Sequence, residues 1–189
     1  VFLGDQLEDV IEQLCSTGEA TYSKQGGILK TGVATLPDLY QDVTDRNRTS
    51  PFAFTNNKFE FRMVGSSDSV AASSVVLNTI VAEAFKEAAD ELEKAEDFNM
   101  AVHDMIKDMF TEHSRIIFNG NGYSASWVKE AERRGLPNIT CMVEAIPALT
   151  TEKAVKLFET FHVFTRAELE SRAEVEYDSY SKVINIEGM

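Results

Sequence analysis

Lys58, Glu60 and Arg62 occupy alternate positions of "KFEFR", and Arg46 and Arg48 lie just upstream in "DRNRTSP". Side chains two apart on an extended strand share a face, so the three charges project one way and Phe59, Phe61 and Met63 the other. A charged strand face is commonly a solvated ladder of ion pairs, each contributing about 0–1 kcal/mol. Four cations around one carboxylate make a poor ladder, because the like charges repel. They suit a polyanion: arginines can clamp a phosphoryl group in transfer, and a carboxylate can hold a divalent cation that bridges phosphate oxygens. One carboxylate is too few for Mg²⁺ or Mn²⁺, so other ligands must come from elsewhere. Asn56 and Asn57 add amide donors and acceptors where "TNN" turns the chain.

These residues need a sheet to hold them. Phe52 to Val64 has the aromatic and β-branched content of two strand pieces joined at that turn. "GGILKTGVATLPDL" (26–39) reads as a strand followed by a loop, and "LEDVIEQLC" (7–15) as a short helix stopped by "STG". After Gly65 the period changes from two to 3.6. Leu77, Ile80, Val81, Ala84, Phe85, Ala88, Leu92 and Ala95 form one helical stripe. Val102, Met105, Ile106, Met109, Phe110 and Ile117 form another, and the two are expected to pack as a helical hairpin. Ser124 is placed to N-cap a helix ending near Gly135, "TTEKAVKLFETF" (150–161) is a further helix, and "TRAE" (165–168) is a capping box opening the last one. The fold expected is α+β: a β-rich segment over 1–68 and a helical region over 69–189, within one compact unit.

The chain has 189 residues and a net charge of −13, which disfavours a basic surface for nucleic acid or an anionic membrane. No apolar run is long enough to span a bilayer. Cys15 and Cys141 are far apart and form no disulfide framework, which favours a reducing, cytoplasmic setting. The chain opens at Val1 with an apolar stretch already under way, as expected of a piece of something longer.

"DRNRTSPFAFTNNKFEFRMVGSS" followed by "VVLNTIVAEAF", with the opening "VFLGDQL" and the later "RIIFNGNGYS" and "WVKEAERRGL", resembles the C-terminal part of type III glutamine synthetases over nearly the whole chain. The resemblance implies part of a catalytic sheet followed by a helical extension. It implies a reaction in which ATP phosphorylates the γ-carboxyl of glutamate and ammonia displaces phosphate. Arg48 corresponds to an arginine contacting the transferred phosphoryl group, and Lys58 to a basic residue near the nucleotide phosphates. Glu60 corresponds to a ligand of the nucleotide-side metal, Mg or Mn, and Arg62 to an arginine meeting the glutamate side-chain carboxyl and stabilising the phosphorylated intermediate. The family's remaining active-site carboxylates precede Val1, so the chain alone is expected to be inactive. The family also implies a large homo-oligomeric ring. The pattern departs at Asn57, where type III sequences usually carry Gly, and at Ala72, Ser73 and Ser74, where they carry Gly-Pro-Asn.

Other features have plainer readings. "NGNGYS" looks like a C-cap joined to an N-cap rather than a phosphate-cradling loop. His103, His113 and His162 share no ligand spacing and are expected as packing or surface residues. The alternative reading of the whole is a helical oligomerisation or regulatory module without chemistry, suggested by its apolar stripes and acidic helix face. A third is a related ligase for another acid or amine.

Overall fold

Helices dominate the structure, a computed structural model that describes residues 1–24, 28–29, 39–40, 48–55, 57–62 and 69–187, with the backbone alone at 28–29, 39–40 and 185–187. In chain order the elements are α1 (Asp5–Thr17), β1 (Ile28–Leu29), β2 (Leu39–Tyr40), β3 (Phe52–Phe54), β4 (Phe59–Phe61), α2 (Ala71–Leu92), α3 (Phe98–His113), α4 (Ala125–Arg133), α5 (Met142–Ala145), α6 (Glu152–Thr160) and α7 (Arg166–Glu187). Short 3₁₀ turns cover Ser114–Ile116 and Ile146–Thr150. Strands confined to the first third and helices through the rest make the fold α+β. Arg46, Asn56 and Met63 lie outside the described residues.

Packing divides the chain into two units that interleave in sequence: Val1–Gly65 with Ala95–Leu136, and Ser66–Lys94 with Pro137–Met189. The change from strand to helix near residue 68 marks local geometry, whereas packing returns Ala95–Leu136 to the strand-bearing segment. Within the first unit α3 packs against α1, and within the second α2 packs against α6.

In the first unit β3 and β4 form an antiparallel hairpin with Phe52 opposite Phe61, Ala53 opposite Glu60 and Phe54 opposite Phe59. Phe2 adds to the other side of β3 in parallel: its N–H donates to the Phe52 carbonyl at 2.9 Å, and its carbonyl accepts from the Phe54 N–H at 2.8 Å. Ala53 is thereby flanked on both sides and fully buried. The stretch Val1–Gly4 is clasped from behind by residues 116–119. Phe118 N–H donates to the Val1 carbonyl, and the Leu3 and Gly4 amides both donate to Asn119 Oδ1 at 2.9 and 3.1 Å. Gly18, at φ 85°, ends α1 in the left-handed conformation that glycine adopts without steric cost.

In the second unit Val155, Phe158 and Leu169 make the core, with Val75, Val76, Ala154, Val163 and Phe164 packed around them. The capping box forms as the sequence implies: Glu168 accepts from the Thr165 N–H at 2.8 Å, and Thr165 Oγ1 accepts from the Glu168 N–H at 3.4 Å. Arg166 reaches back to both oxygens of Glu152, at 2.9 and 2.8 Å. On α7, Leu169 and Ala173 are buried. The α2 stripe behaves differently. Ile80, Val81 and Phe85 are exposed, Phe85 at 72%.

Candidate functional site

The β3–β4 hairpin turns tightly because Thr55 and Lys58 close it, the Thr55 N–H donating to the Lys58 carbonyl at 2.7 Å. Its alternation then decides the faces. Phe52 stacks on Phe59 with centroids 5.1 Å apart, and Phe61 meets Phe52 edge-on, so the aromatic rings gather on one side. Glu60, opposite Ala53, projects to the other side with Lys58 and Arg62. The aromatic face is not the buried one in this chain: Phe59 is 49% exposed, while the Arg62 side chain is only 25% exposed.

Glu60 is the centre of the charged face. Arg62 holds Oε2 with its fork, Nε at 3.1 Å and Nη2 at 2.8 Å. The Thr55 hydroxyl donates to Oε1 at 3.3 Å, and Lys58 Nζ lies 3.7 Å from the same oxygen. Hydrogen bonding from Arg62 leads in holding the Glu60 carboxyl below its ordinary value; the charge of Arg62, the Thr55 hydroxyl and the charge of Lys58 act in the same direction. Glu60 is therefore a carboxylate with both oxygens engaged. The main chain of Arg62 continues the hairpin, its N–H donating to the Pro51 carbonyl at 2.9 Å.

Arg48 is held by other partners. Among the described residues it makes no ion pair with Glu60, and its side chain belongs to an exposed residue. What is held is its backbone. The Tyr123 hydroxyl donates to the Arg48 carbonyl at 3.5 Å, and the next residue, Thr49, accepts the Gly122 N–H on Oγ1 at 2.8 Å. Ser50 is buried and donates to the Phe52 carbonyl at 2.8 Å. The hairpin thus brings Lys58, Glu60 and Arg62 together, and a separate loop anchors the segment that carries Arg48.

That loop is where sequence reasoning fell short. Ser124 caps α4 as expected, accepting the Trp127 N–H at 3.2 Å. The C-cap half of the reading fails, since α3 ends at His113 and neither Gly120 nor Gly122 has positive φ. Both glycines instead serve close approach. A Cβ on Gly122 would lie 2.4 Å from the Thr49 carbonyl oxygen, and one on Gly120 would lie 2.5 Å from the Phe118 ring. Two glycines one residue apart were the available signal.

A divalent cation is the group a carboxylate and phosphate-binding cations would share. Among the described residues no three His, Cys, Asp or Glu side chains group to hold a metal. Glu60 offers a single ligand, and Arg62 already occupies one of its oxygens. The described residues therefore fit one vertex of such a site and not the site itself. His103 is engaged elsewhere, in contact with the Gly18 carbonyl and Asp104.

Residues 101–189 match the family model of the glutamine synthetase C-terminal domain. The chain is 42% identical over 190 residues to the type-3 glutamine synthetase of Dictyostelium discoideum, an alignment covering 99% of this chain and 26% of that protein. It is also 36% identical to glutamine synthetases of Bacteroides fragilis, over 99% of this chain and 26% of the relative, and of Butyrivibrio fibrisolvens, over 100% and 27%. This chain is related, end to end, to type 3 glutamine synthetase. It spans about a quarter of the length of these curated glutamine synthetases. The matched C-terminal domain model begins within α3, so the hairpin bearing Lys58, Glu60 and Arg62 lies outside it and inside the longer alignments. No described helix is long and apolar enough to cross a membrane.

Proposed function

We propose that this chain is part of an ATP-dependent glutamate–ammonia ligase, to which it contributes part of the catalytic sheet. The observation that carries the reading is a carboxylate held between Arg62 and Lys58 on one strand face, in a chain related throughout to glutamine synthetase. In this reading ATP transfers its γ-phosphoryl group to the glutamate side chain, giving ADP and γ-glutamyl phosphate, and ammonia then displaces phosphate to give glutamine.

Arg62 receives the glutamate side-chain carboxyl and steadies the charge of the acyl phosphate with the donors that lie on Glu60 here. Lys58, the most exposed of the trio, neutralises nucleotide phosphates. Arg48 meets the phosphoryl group in transfer. Glu60 orients Arg62 and provides one ligand to a nucleotide-side Mg²⁺ or Mn²⁺ whose other ligands come from outside the described residues. The protein works as a cytoplasmic homo-oligomer, and the chain by itself is inactive because the described residues supply only one of the carboxylates the metals need.

The test is made in the full-length protein. Glu60→Gln removes the charge and keeps the shape, and it should lower glutamine formation at saturating Mg²⁺ by at least tenfold. Near-normal turnover would take Glu60 out of the metal site. Arg62→Ala should raise the KM for glutamate and lower kcat together; no change in either would remove Arg62 from substrate binding.

A second reading has its own observation. Ile80, Val81 and Phe85 on α2 are exposed although their spacing is that of a packed stripe, which favours a role for this helix in assembly.

A further inference from the structure

The loop 119–123 touches the Arg48 segment at its backbone, and only glycine can make that contact. Gly122 N–H donates to Thr49 Oγ1 at 2.8 Å, and a Cβ at Gly122 would sit 2.4 Å from the Thr49 carbonyl oxygen, where ordinary contact begins at 3.4 Å. The atom in the way is main chain, so no rotamer change relieves the overlap. Thr49 would have to retreat by about 1 Å, the difference between those two distances. Gly122 does not have positive φ, so the need for glycine is one of space and not of backbone conformation.

We infer that Gly122 is a positioning residue for Arg48: by admitting the Thr49 carbonyl and holding its hydroxyl, the loop sets where the Arg48 guanidinium enters the phosphoryl-transfer site. The inference rests on the reading of Arg48 as the arginine that meets the transferred phosphoryl group. The physical reason lies in the side chain itself. Arg48 is exposed, and a long, exposed arginine loses rotamer freedom when it engages a ligand. Fixing its main chain leaves only the side chain to be ordered. The restraints lie at Arg48 and the three residues that follow it: the Tyr123 hydroxyl at the Arg48 carbonyl, Gly122 at Thr49, Ser50 on the Phe52 carbonyl, and Pro51 in register with Arg62. The same loop carries Asn119, which receives the Leu3 and Gly4 amides, so the strand partner of β3 and the Arg48 segment are anchored by neighbouring residues. A displacement of about 1 Å in a group aligned for reaction can cost on the order of 100-fold in rate.

A double-mutant cycle in the full-length protein tests this. Gly122→Ala should lower kcat for glutamine formation at least tenfold with the KM for glutamate changed less than threefold. In an Arg48→Ala background the same substitution should lower kcat less than twofold, because the group it misplaces is gone. An equal loss in both backgrounds would overturn the inference, since a merely structural role acts whether or not Arg48 is present. No loss from Gly122→Ala alone, with Arg48 intact, would overturn it as well. If Gly122→Ala does not fold, Thr49→Val, which removes the acceptor, replaces it in the cycle, with Thr49→Ser expected to restore activity to within threefold. Full activity of Arg48→Ala alone would instead overturn the reading of Arg48, and this inference with it.

Discussion

Glu60 shows how one side chain can be read from its partners. The Arg62 fork and the Lys58 charge keep it ionised, so its folded pKa lies below the ordinary carboxylate value. For a depressed acid the ion pair is fully present above the ordinary pKa and is lost as pH falls through the folded one. An NMR titration of the Glu60 carboxyl carbon should therefore show its midpoint below that of a free glutamate. Arg62→Ala should move the midpoint up, and an unmoved midpoint would mean that Arg62 is not the cause. Asn119 is a second residue-scale case. Its Oδ1 accepts two backbone amides that would otherwise be unpaired beside the buried Phe2 and Leu3. Asn119→Ala should lower stability by about 1–3 kcal/mol in urea unfolding.

At the scale of elements, α4 is secured by one carboxylate. Glu130 accepts from Arg133 at 2.7 and 2.8 Å and from Arg134 at 2.6 Å, and these bonds hold its pKa at about 2 against an ordinary 4.5. Arg134 also donates to the Ile117 carbonyl at 2.9 Å and lies 5.3 Å from the centroid of the Trp127 ring, which stacks on Phe118. The ion pairs are intact above pH 4.5 and are lost between there and about pH 2. Trp127 is the chain's one tryptophan, so its fluorescence should change in that window, and in Glu130→Gln the environment seen at low pH should already be present at pH 7. A fluorescence signal identical in the two proteins at pH 7 would disprove the link. The capping box of α7 makes a separate prediction. Thr165→Ala removes the N-cap oxygen and should cost about 0.5–2 kcal/mol in thermal unfolding. Capping was legible in the sequence at Ser124 and Thr165 because the partner lies three residues away. The partners that α2 and α3 meet, α6 and α1, were not legible, because two amphipathic helices with adjacent stripes do not encode which neighbour each will meet.

For the whole molecule, apolar exposure and net charge oppose each other. Ile80, Val81 and Phe85 present an open patch on α2, while a net charge of −13 makes copies repel. If α2 serves assembly, sedimentation of the chain should show self-association that strengthens with salt as the repulsion is screened, and Phe85→Glu should abolish it. A monomer at all salt concentrations would remove the assembly reading for this patch.

The sequence by itself determined the longer helices, the caps at Ser124 and Thr165 and the common face of Lys58, Glu60 and Arg62, because each follows from geometry repeated every two or 3.6 residues, or from a partner three residues away, and needs no distant partner. Only the tertiary structure decided that Gly122 meets Thr49, that Phe2 pairs with Ala53, and that Ala95–Leu136 packs with the strand-bearing segment. Those contacts join residues tens of positions apart. Which distant segments meet is selected by the sum of burial and backbone pairing over the entire chain, and no local pattern carries that sum.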